Sequence, residues 1–125
     1  MSQQVTVLKL ETVEGFDTIE GFMKPLSVNE HVSVIHNILP KQLKVKPHAH
    51  QSNGVIFLLK GQLELVSNRT NFILTPGSVA VIPANMVVGI NTADSSAEVL
   101  MISAPPSCKS IQALKSRLHA ASKRS

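Results

Sequence analysis

The chain has 125 residues, 43% of them hydrophobic, which is the size of one domain able to bury a core without disulfides or a structural metal. Its net charge of +4 is unevenly placed, because residues 1–108 carry seven basic and eight acidic side chains, whereas residues 109–125 carry five basic side chains and no acid. A near-neutral body and a tail without motif residues argue against a nucleic-acid-binding class, so we expect a solvated tail and no nucleic-acid partner.

The composition favours a β-sheet core in a cytoplasmic protein. With four Phe and neither Trp nor Tyr, the core must be built from Val, Ile and Leu, which pack well on pleated sheets. The single cysteine, Cys108, excludes an internal disulfide and fits a reducing compartment. The N-terminus does not resemble a signal peptide, and no apolar stretch is long enough to span a membrane, so we expect no membrane partner.

Short apolar runs separated by turn residues recur along most of the chain. They predict strands at residues 5–10, 31–39, 54–59, 62–67, 71–75, 78–82, 86–90 and 98–103. The connections are rich in Gly, Pro, Asn and Ser and leave no room for helices, so the pattern favours a β-sandwich or barrel over βαβ units. Residues 11–25 fit either a loop or an edge strand.

One helix is predicted, at the C-terminus. Ile111, Leu114 and Leu118 recur at helical spacing and form an apolar stripe that can pack on the body. The sequence therefore divides into a β-barrel, residues 1–108, and a basic C-terminal helix or tail, residues 109–125.

Two histidines separated by one residue stand just before the apolar run at 54–59. In an extended strand, residues two apart point to the same face, so His48 and His50 present their imidazoles side by side. This arrangement suits two adjacent ligands of a metal ion or a pair of acid–base groups, because imidazole changes protonation state near neutral pH. A structural zinc site is not predicted, since no Cys/His cluster completes four ligands.

The order and spacing of these features resemble the two sequence motifs of small single-domain cupins of the RmlC-like superfamily. The resemblance runs over residues 30–104. It implies an all-β fold, a cupin double-stranded β-helix or jelly-roll barrel of roughly ten short strands, here followed by the short C-terminal α-helix. The positions that match the two motifs are His48, His50, Gly61, Gly77 and Pro83.

The sequence departs from the cupin motifs at two expected metal ligands. The glutamate position falls on Gly54, and no acidic residue occurs between Glu30 and Glu64. The histidine of the second motif would fall at Val87 or Val88. The pattern therefore predicts a cupin scaffold with a degenerate metal site.

Two turn positions of the motifs also differ. Gln42 and Asn85 stand where motif glycines are expected. Asparagine tolerates the left-handed backbone of such a turn, so the turn at Asn85 can still form.

Other side chains would have to complete a metal shell. The resemblance implies a divalent transition metal (Zn, Fe, Mn, Ni or Cu) and no organic cofactor. His36 is the third candidate metal ligand, provided that its strand turns it inward together with Val34 and Ile38. The candidates for weaker donors or ligand-binding groups are Gln51, Asn53, Asn85 and Met86.

Two functions are compatible with these residues, and the sequence leaves open whether the protein is an enzyme. In the first, His48 and His50 are catalytic in an isomerase, lyase or oxygenase acting on a small molecule, either on a divalent metal or by acid–base chemistry. In the second, the chain is a non-catalytic module that binds or senses a small molecule in an apolar pocket, its metal site lost. The resemblance also implies a homodimer, with residues 5–10 as a candidate edge strand at the contact.

Overall fold

Ten short β-strands make up most of the computed structural model, which describes residues 4–106 and 110–116. A 3-10 turn, Leu10–Thr12, precedes them, and residues 111–116 are helical. The strands are Phe16–Thr18 (β1), Gly21–Val28 (β2), Ser33–Leu39 (β3), Lys44–Ala49 (β4), Asn53–Lys60 (β5), Leu63–Ser67 (β6), Thr70–Leu74 (β7), Val79–Ile82 (β8), Val87–Asn91 (β9) and Ala97–Ala104 (β10).

The strands form two antiparallel sheets whose inner faces share one core. The six-stranded sheet has the order β1-β2-β3-β10-β5-β8, and the four-stranded sheet has the order β4-β9-β6-β7. Strands far apart in sequence pair directly, β3 with β10 and β4 with β9, so that the two halves of the chain interleave. The predicted all-β jelly-roll barrel with one short C-terminal helix is confirmed.

The core is aliphatic and draws on both sheets. Each core residue has an outward-facing neighbour on its strand, as the pleat of a strand requires. Burial of such side chains contributes about 1.5–3 kcal/mol each and is the main term that holds the two sheets together. The buried members are Leu39, Ile56, Leu58, Leu63, Leu65, Leu74, Ala97 and Val99.

The four turn positions singled out in the sequence all adopt a positive φ. Gly61 and Gly77 have φ of 86° and 92°, which glycine adopts without a Cβ penalty. Asn85 has φ of 68°, as predicted for the residue that replaces a motif glycine. Gln42 has φ of 59°, and its side-chain amide donates to Asp94 Oδ1 at 3.0 Å, which helps to hold this less favourable turn.

The predicted strand at residues 5–10 is wrong. Residues 4–9 form no regular structure, and the side chains of Val5 and Val7 are 92% and 85% exposed. The strand-like alternation is present there, but no strand in the described part of the chain pairs with it. By contrast, residues 11–25 contribute β1 and part of β2. A strand that was not among the predicted runs, β4, forms at Lys44–Ala49 and includes His48.

The C-terminal helical segment packs on the barrel through one residue of the predicted stripe. Leu114 is 5% exposed, whereas Ile111 is 42% exposed. Leu118 and Cys108 lie outside the described residues. No helix in the described ranges is long and apolar enough to cross a membrane.

Candidate functional site

A cavity of about 170 Å³ lies between the two sheets, beside the aliphatic core. Side chains from both sheets form its apolar wall. Of the eight buried core residues, only Ile56 also lines this cavity. Four other lining residues are partly buried and pack against this core: Ile82, Val88, Ile90 and Met101.

His48 and His50 stand together at this cavity. His48 lies in β4 and His50 follows the end of that strand, and both line the cavity while remaining exposed to solvent. Their ring centroids are 4.4 Å apart with the planes at 69°, an edge-to-face contact. The neighbouring strand holds this end of β4, since His48 pairs with Val88 and the Asn85 amide donates to the His50 carbonyl at 2.7 Å. The structure thus brings the two predicted histidines together.

The backbone fixes the tautomer of His48. Its Nδ1 lies 2.9 Å from the carbonyl oxygen of Lys46. A carbonyl oxygen only accepts, so Nδ1 carries the proton and, in the neutral ring, Nε2 keeps its lone pair. His48 therefore offers Nε2 as a proton acceptor or as a donor atom to a metal ion.

Three serines line the same cavity and were not recognised from the sequence. Ser33 and Ser52 are each 7% exposed, and Ser33 pairs directly with Ser103 across β3 and β10. Strand alternation could have found two of them, because Ser33 shares a face with Ile35 and Ser103 shares one with Met101. Their hydroxyls add hydrogen-bonding capacity to a largely apolar wall.

His36 does not join the histidine pair, which corrects the expected inward orientation. Its neighbour Ile35 lines the cavity, and alternation along β3 turns His36 to the opposite face. There it is 2% exposed, and its Nε2 lies 2.6 Å from Glu98 Oε1. Its orientation makes it unable to complete a metal shell with His48 and His50.

The remaining candidate residues are spread around the mouth. Of these, Met86 alone lines the cavity, with its Sδ 3.6 Å from the Asn68 side-chain nitrogen. Asn53 is structural, since its Oδ1 accepts a hydrogen bond from the Ala84 amide at 3.0 Å. Asn85 shapes the turn that contacts His50, and Gln51 is exposed and does not line the cavity.

The residues present do not fit the divalent metal that the cupin resemblance implies. In the ranges 4–106 and 110–116, no three His, Cys, Asp or Glu side chains come close enough to hold a metal ion. The position expected to carry the glutamate, Gly54, does line the cavity, and so does Val88 at the position of the missing histidine. The backbone of a metal site is thus in place, while two of its donor side chains are absent.

Comparison with known proteins gives a family and a fold. Residues 34–103 match the model of the cupin domain family, Cupin_2. No curated protein matches the chain in sequence.

Many solved structures match the fold of this chain. An RmlC-like cupin from Shewanella frigidimarina is 18% identical, covers 86% of this chain and 96% of its own, and has a TM-score of 0.74. KdgF from a Halomonas species is 16% identical, with coverages of 81% and 95% and a TM-score of 0.74. The polyketide cyclase RemF from Streptomyces resistomycificus is 16% identical, with coverages of 82% and 81% and a TM-score of 0.72. At these identities the likeness is one of fold alone.

Proposed function

Because the chain belongs to the cupin domain family, we propose that it binds a compact, neutral small molecule in its barrel and catalyses an acid–base reaction on it, with His48 as the proton acceptor. The observation that carries this proposal is the hydrogen bond from His48 Nδ1 to the Lys46 carbonyl, which makes Nε2 the proton-accepting atom of the neutral ring in a residue that lines the cavity. An orienting hydrogen bond of this kind is what a general base needs. The reaction class is that of an isomerase or lyase.

The proposed step begins with proton abstraction from a C–H bond of the substrate. His48 Nε2 takes the proton and becomes imidazolium, and the electron pair of the C–H bond moves toward a neighbouring electron-withdrawing group such as a carbonyl. Return of the proton at a second atom gives isomerisation, and departure of a leaving group gives elimination. His50, with its ring centroid 4.4 Å away, is the second group able to exchange a proton at this mouth.

The wall of the cavity supports a neutral substrate. None of the described lining residues is a Lys or Arg, and the one carboxylate is that of Glu20. An anionic substrate would lack a cationic partner there, and burying its charge unpaired is unfavourable. Apolar side chains with a few hydroxyl and imidazole groups are the usual surroundings of a neutral organic ligand.

Proton abstraction can be tested without knowing the natural substrate. Cyclohexanone in D₂O exchanges its acidic C–H protons for deuterium, and a general base in a fitting cavity accelerates that exchange, which ¹H NMR follows directly. We expect acceleration by the protein and its loss in His48→Ala, while His31→Ala, which removes an exposed histidine outside the cavity, leaves the rate unchanged. Equal exchange rates with and without protein, at concentrations where cyclohexanone binds, would rule out His48 as a general base for this class.

A second candidate function is ligand binding without chemistry. It is favoured by the apolar cavity together with the replacement of two expected ligand positions by Gly54 and Val88. Its signature is saturable binding of cyclohexanone with no exchange above background. The same experiment thus separates an enzyme from a binding module.

We also propose that the protein forms a homodimer. Support comes from apolar side chains that the single chain leaves in solvent, Val5 and Val7 in the N-terminal segment and Val79 and Val81 on the edge strand β8. An edge strand with exposed valines offers backbone groups and apolar surface to a second copy.

A further inference from the structure

We infer that Leu114, in the C-terminal helical segment, is a specificity-determining residue that closes one side of the cavity and sets the largest ligand the barrel accepts. This inference rests on the proposed binding of a small molecule in that cavity. Leu114 is 5% exposed, and it lines the same cavity as His48 and His50. A residue outside the barrel strands thus forms part of the ligand chamber.

The barrel holds Leu114 in place through apolar contacts. It forms a small buried cluster with Met23, against which Phe16 and Ile35 also pack. Met23 and Ile35 line the cavity themselves, so Leu114 closes it on the side of β2 and β3. β4, which carries His48, belongs to the four-stranded sheet, so the wall near Leu114 and the wall near the histidines come from different sheets.

Polar contacts orient the segment that carries this leucine. The Ser110 hydroxyl accepts a hydrogen bond from the Ala113 amide at 3.1 Å, and the Ser110 carbonyl accepts one from the Leu114 amide at 3.1 Å. A serine in this position caps the first helical turn. The Lys115 ammonium lies 5.2 Å from the centre of the Phe16 ring, a cation–π contact with β1. These contacts fix which side chain of the segment faces the cavity.

The size of the cavity makes the leucine decisive for ligand choice. At about 170 Å³ it is comparable with the roughly 150 Å³ apolar cavity that accommodates benzene. Replacing Leu114 with alanine removes three carbon atoms from the wall, and each additional methylene that a ligand then buries is worth about 0.8 kcal/mol, or roughly a fourfold gain in affinity. The neighbouring Ile111 is 42% exposed and does not line the cavity, which makes it the matched control.

A series of 4-alkylphenols tests the inference, with binding to the full chain followed by isothermal titration calorimetry. The neutral phenol hydroxyl suits the imidazole and serine groups, and the alkyl chain is lengthened from ethyl to hexyl. We expect the wild-type affinity to rise and then fall once the chain exceeds the cavity. In Leu114→Ala the maximum moves to a chain two or three carbons longer, and the affinity for 4-hexylphenol rises at least about tenfold. Ile111→Ala keeps the wild-type profile.

Leu114→Phe provides an independent reading that does not depend on the alanine variant folding. The larger ring shortens the accepted chain, so the affinity maximum moves to a shorter phenol than in the wild type. An unchanged maximum in both Leu114 variants, with binding intact, would overturn the role of Leu114 while leaving the proposed function standing. Absence of binding of every phenol to the wild type would overturn the proposed apolar ligand site, and the inference with it.

Discussion

The Nε2–H group of His36 donates to the Glu98 carboxylate at 2.6 Å on the outer face of the six-stranded sheet. The histidine is 2% exposed, and its Nδ1 has no hydrogen-bond partner in the described structure. The carboxylate is therefore the group that compensates for burying this imidazole, which gives the pair a structural role.

Glu98→Ala is predicted to destabilise the fold by about 1–3 kcal/mol, because it leaves the second nitrogen of His36 buried without a partner. Glu98→Gln, which retains an acceptor oxygen, is expected to lose less. Urea unfolding midpoints measure both. Lys60→Ala is the control, since Lys60 is 80% exposed and lies 3.8 Å from Glu98, so its removal changes stability by less than about 1 kcal/mol. A Glu98→Ala variant as stable as the Lys60 control would show that solvent replaces the carboxylate.

Gly54→Glu is predicted to create binding of a divalent metal at the histidine pair. The wild-type donor set is incomplete, so protein purified without chelator should hold well below one equivalent of metal by mass spectrometry. An added Cβ at Gly54 meets only ordinary contacts, 3.8 Å to the Ile102 carbonyl oxygen and 4.0 Å to the Ile82 Cβ. A glutamate there introduces a carboxylate into the wall of the cavity that His48 and His50 also line.

The matched control is Gly54→Gln, which has nearly the same size and no charge. Addition of Zn²⁺ or Ni²⁺ should raise the melting temperature of Gly54→Glu, because an ion that binds only the folded state stabilises it, and should leave the glutamine variant unchanged. A full equivalent of metal in the wild type, lost in a His48→Ala/His50→Ala double variant, would mean that other donors already complete the shell.

Gly61→Ala is predicted to destabilise the fold more than Gly77→Ala, although both glycines have a positive φ. A Cβ at Gly61 would collide with the Ser96 carbonyl oxygen, whereas nothing lies within 4 Å of a Cβ at Gly77. Gly77→Ala should therefore lose only the backbone preference, about 1–2 kcal/mol. Gly61→Ala adds a backbone displacement and should lose at least about 3 kcal/mol. Chemical unfolding of the two variants compares these losses, and equal losses would mean that the chain near Ser96 relaxes freely.

Val5→Ser/Val7→Ser is predicted to convert a dimer into a monomer. These valines are 92% and 85% exposed in the single chain, so an interface is what would cover them. Light scattering during size-exclusion chromatography gives the mass directly. Ile73→Ser, at an exposed position of β7 in the four-stranded sheet, is the control and should remain dimeric. A wild-type protein that is monomeric at all concentrations would remove the dimer proposal.

Most of the fold follows from periodicity, because seven of the predicted runs overlap β3 and β5–β10. Of the three strands outside these runs, two contain a proline, Pro25 in β2 and Pro47 in β4, which interrupts the apolar pattern of a strand. The third, β1, has only three residues, too few for alternation to show. The error at residues 5–10 has a different origin, since alternation identifies a segment able to form a strand but does not show whether a partner strand exists.

The candidate site was predictable only in part. The spacing of His48 and His50 places them on one face, and the structure shows them in edge-to-face contact. The spacing of Val34, His36 and Ile38 shows equally well that they share a face, yet periodicity does not reveal which face is inner. The helical spacing of Leu114 predicted that it packs on the body. Its place in the cavity wall depends on where the C-terminal segment contacts the barrel, which spacing does not show.

The separation between the aliphatic core and the cavity has a consequence for how such a protein changes over generations. Seven of the eight residues in the buried cluster that joins the two sheets take no part in lining the cavity, so substitutions around the histidines leave these core side chains unchanged. A chain built in this way can exchange one chemistry for another by drift at a few positions, with selection on foldability and selection on activity acting on nearly separate sets of residues.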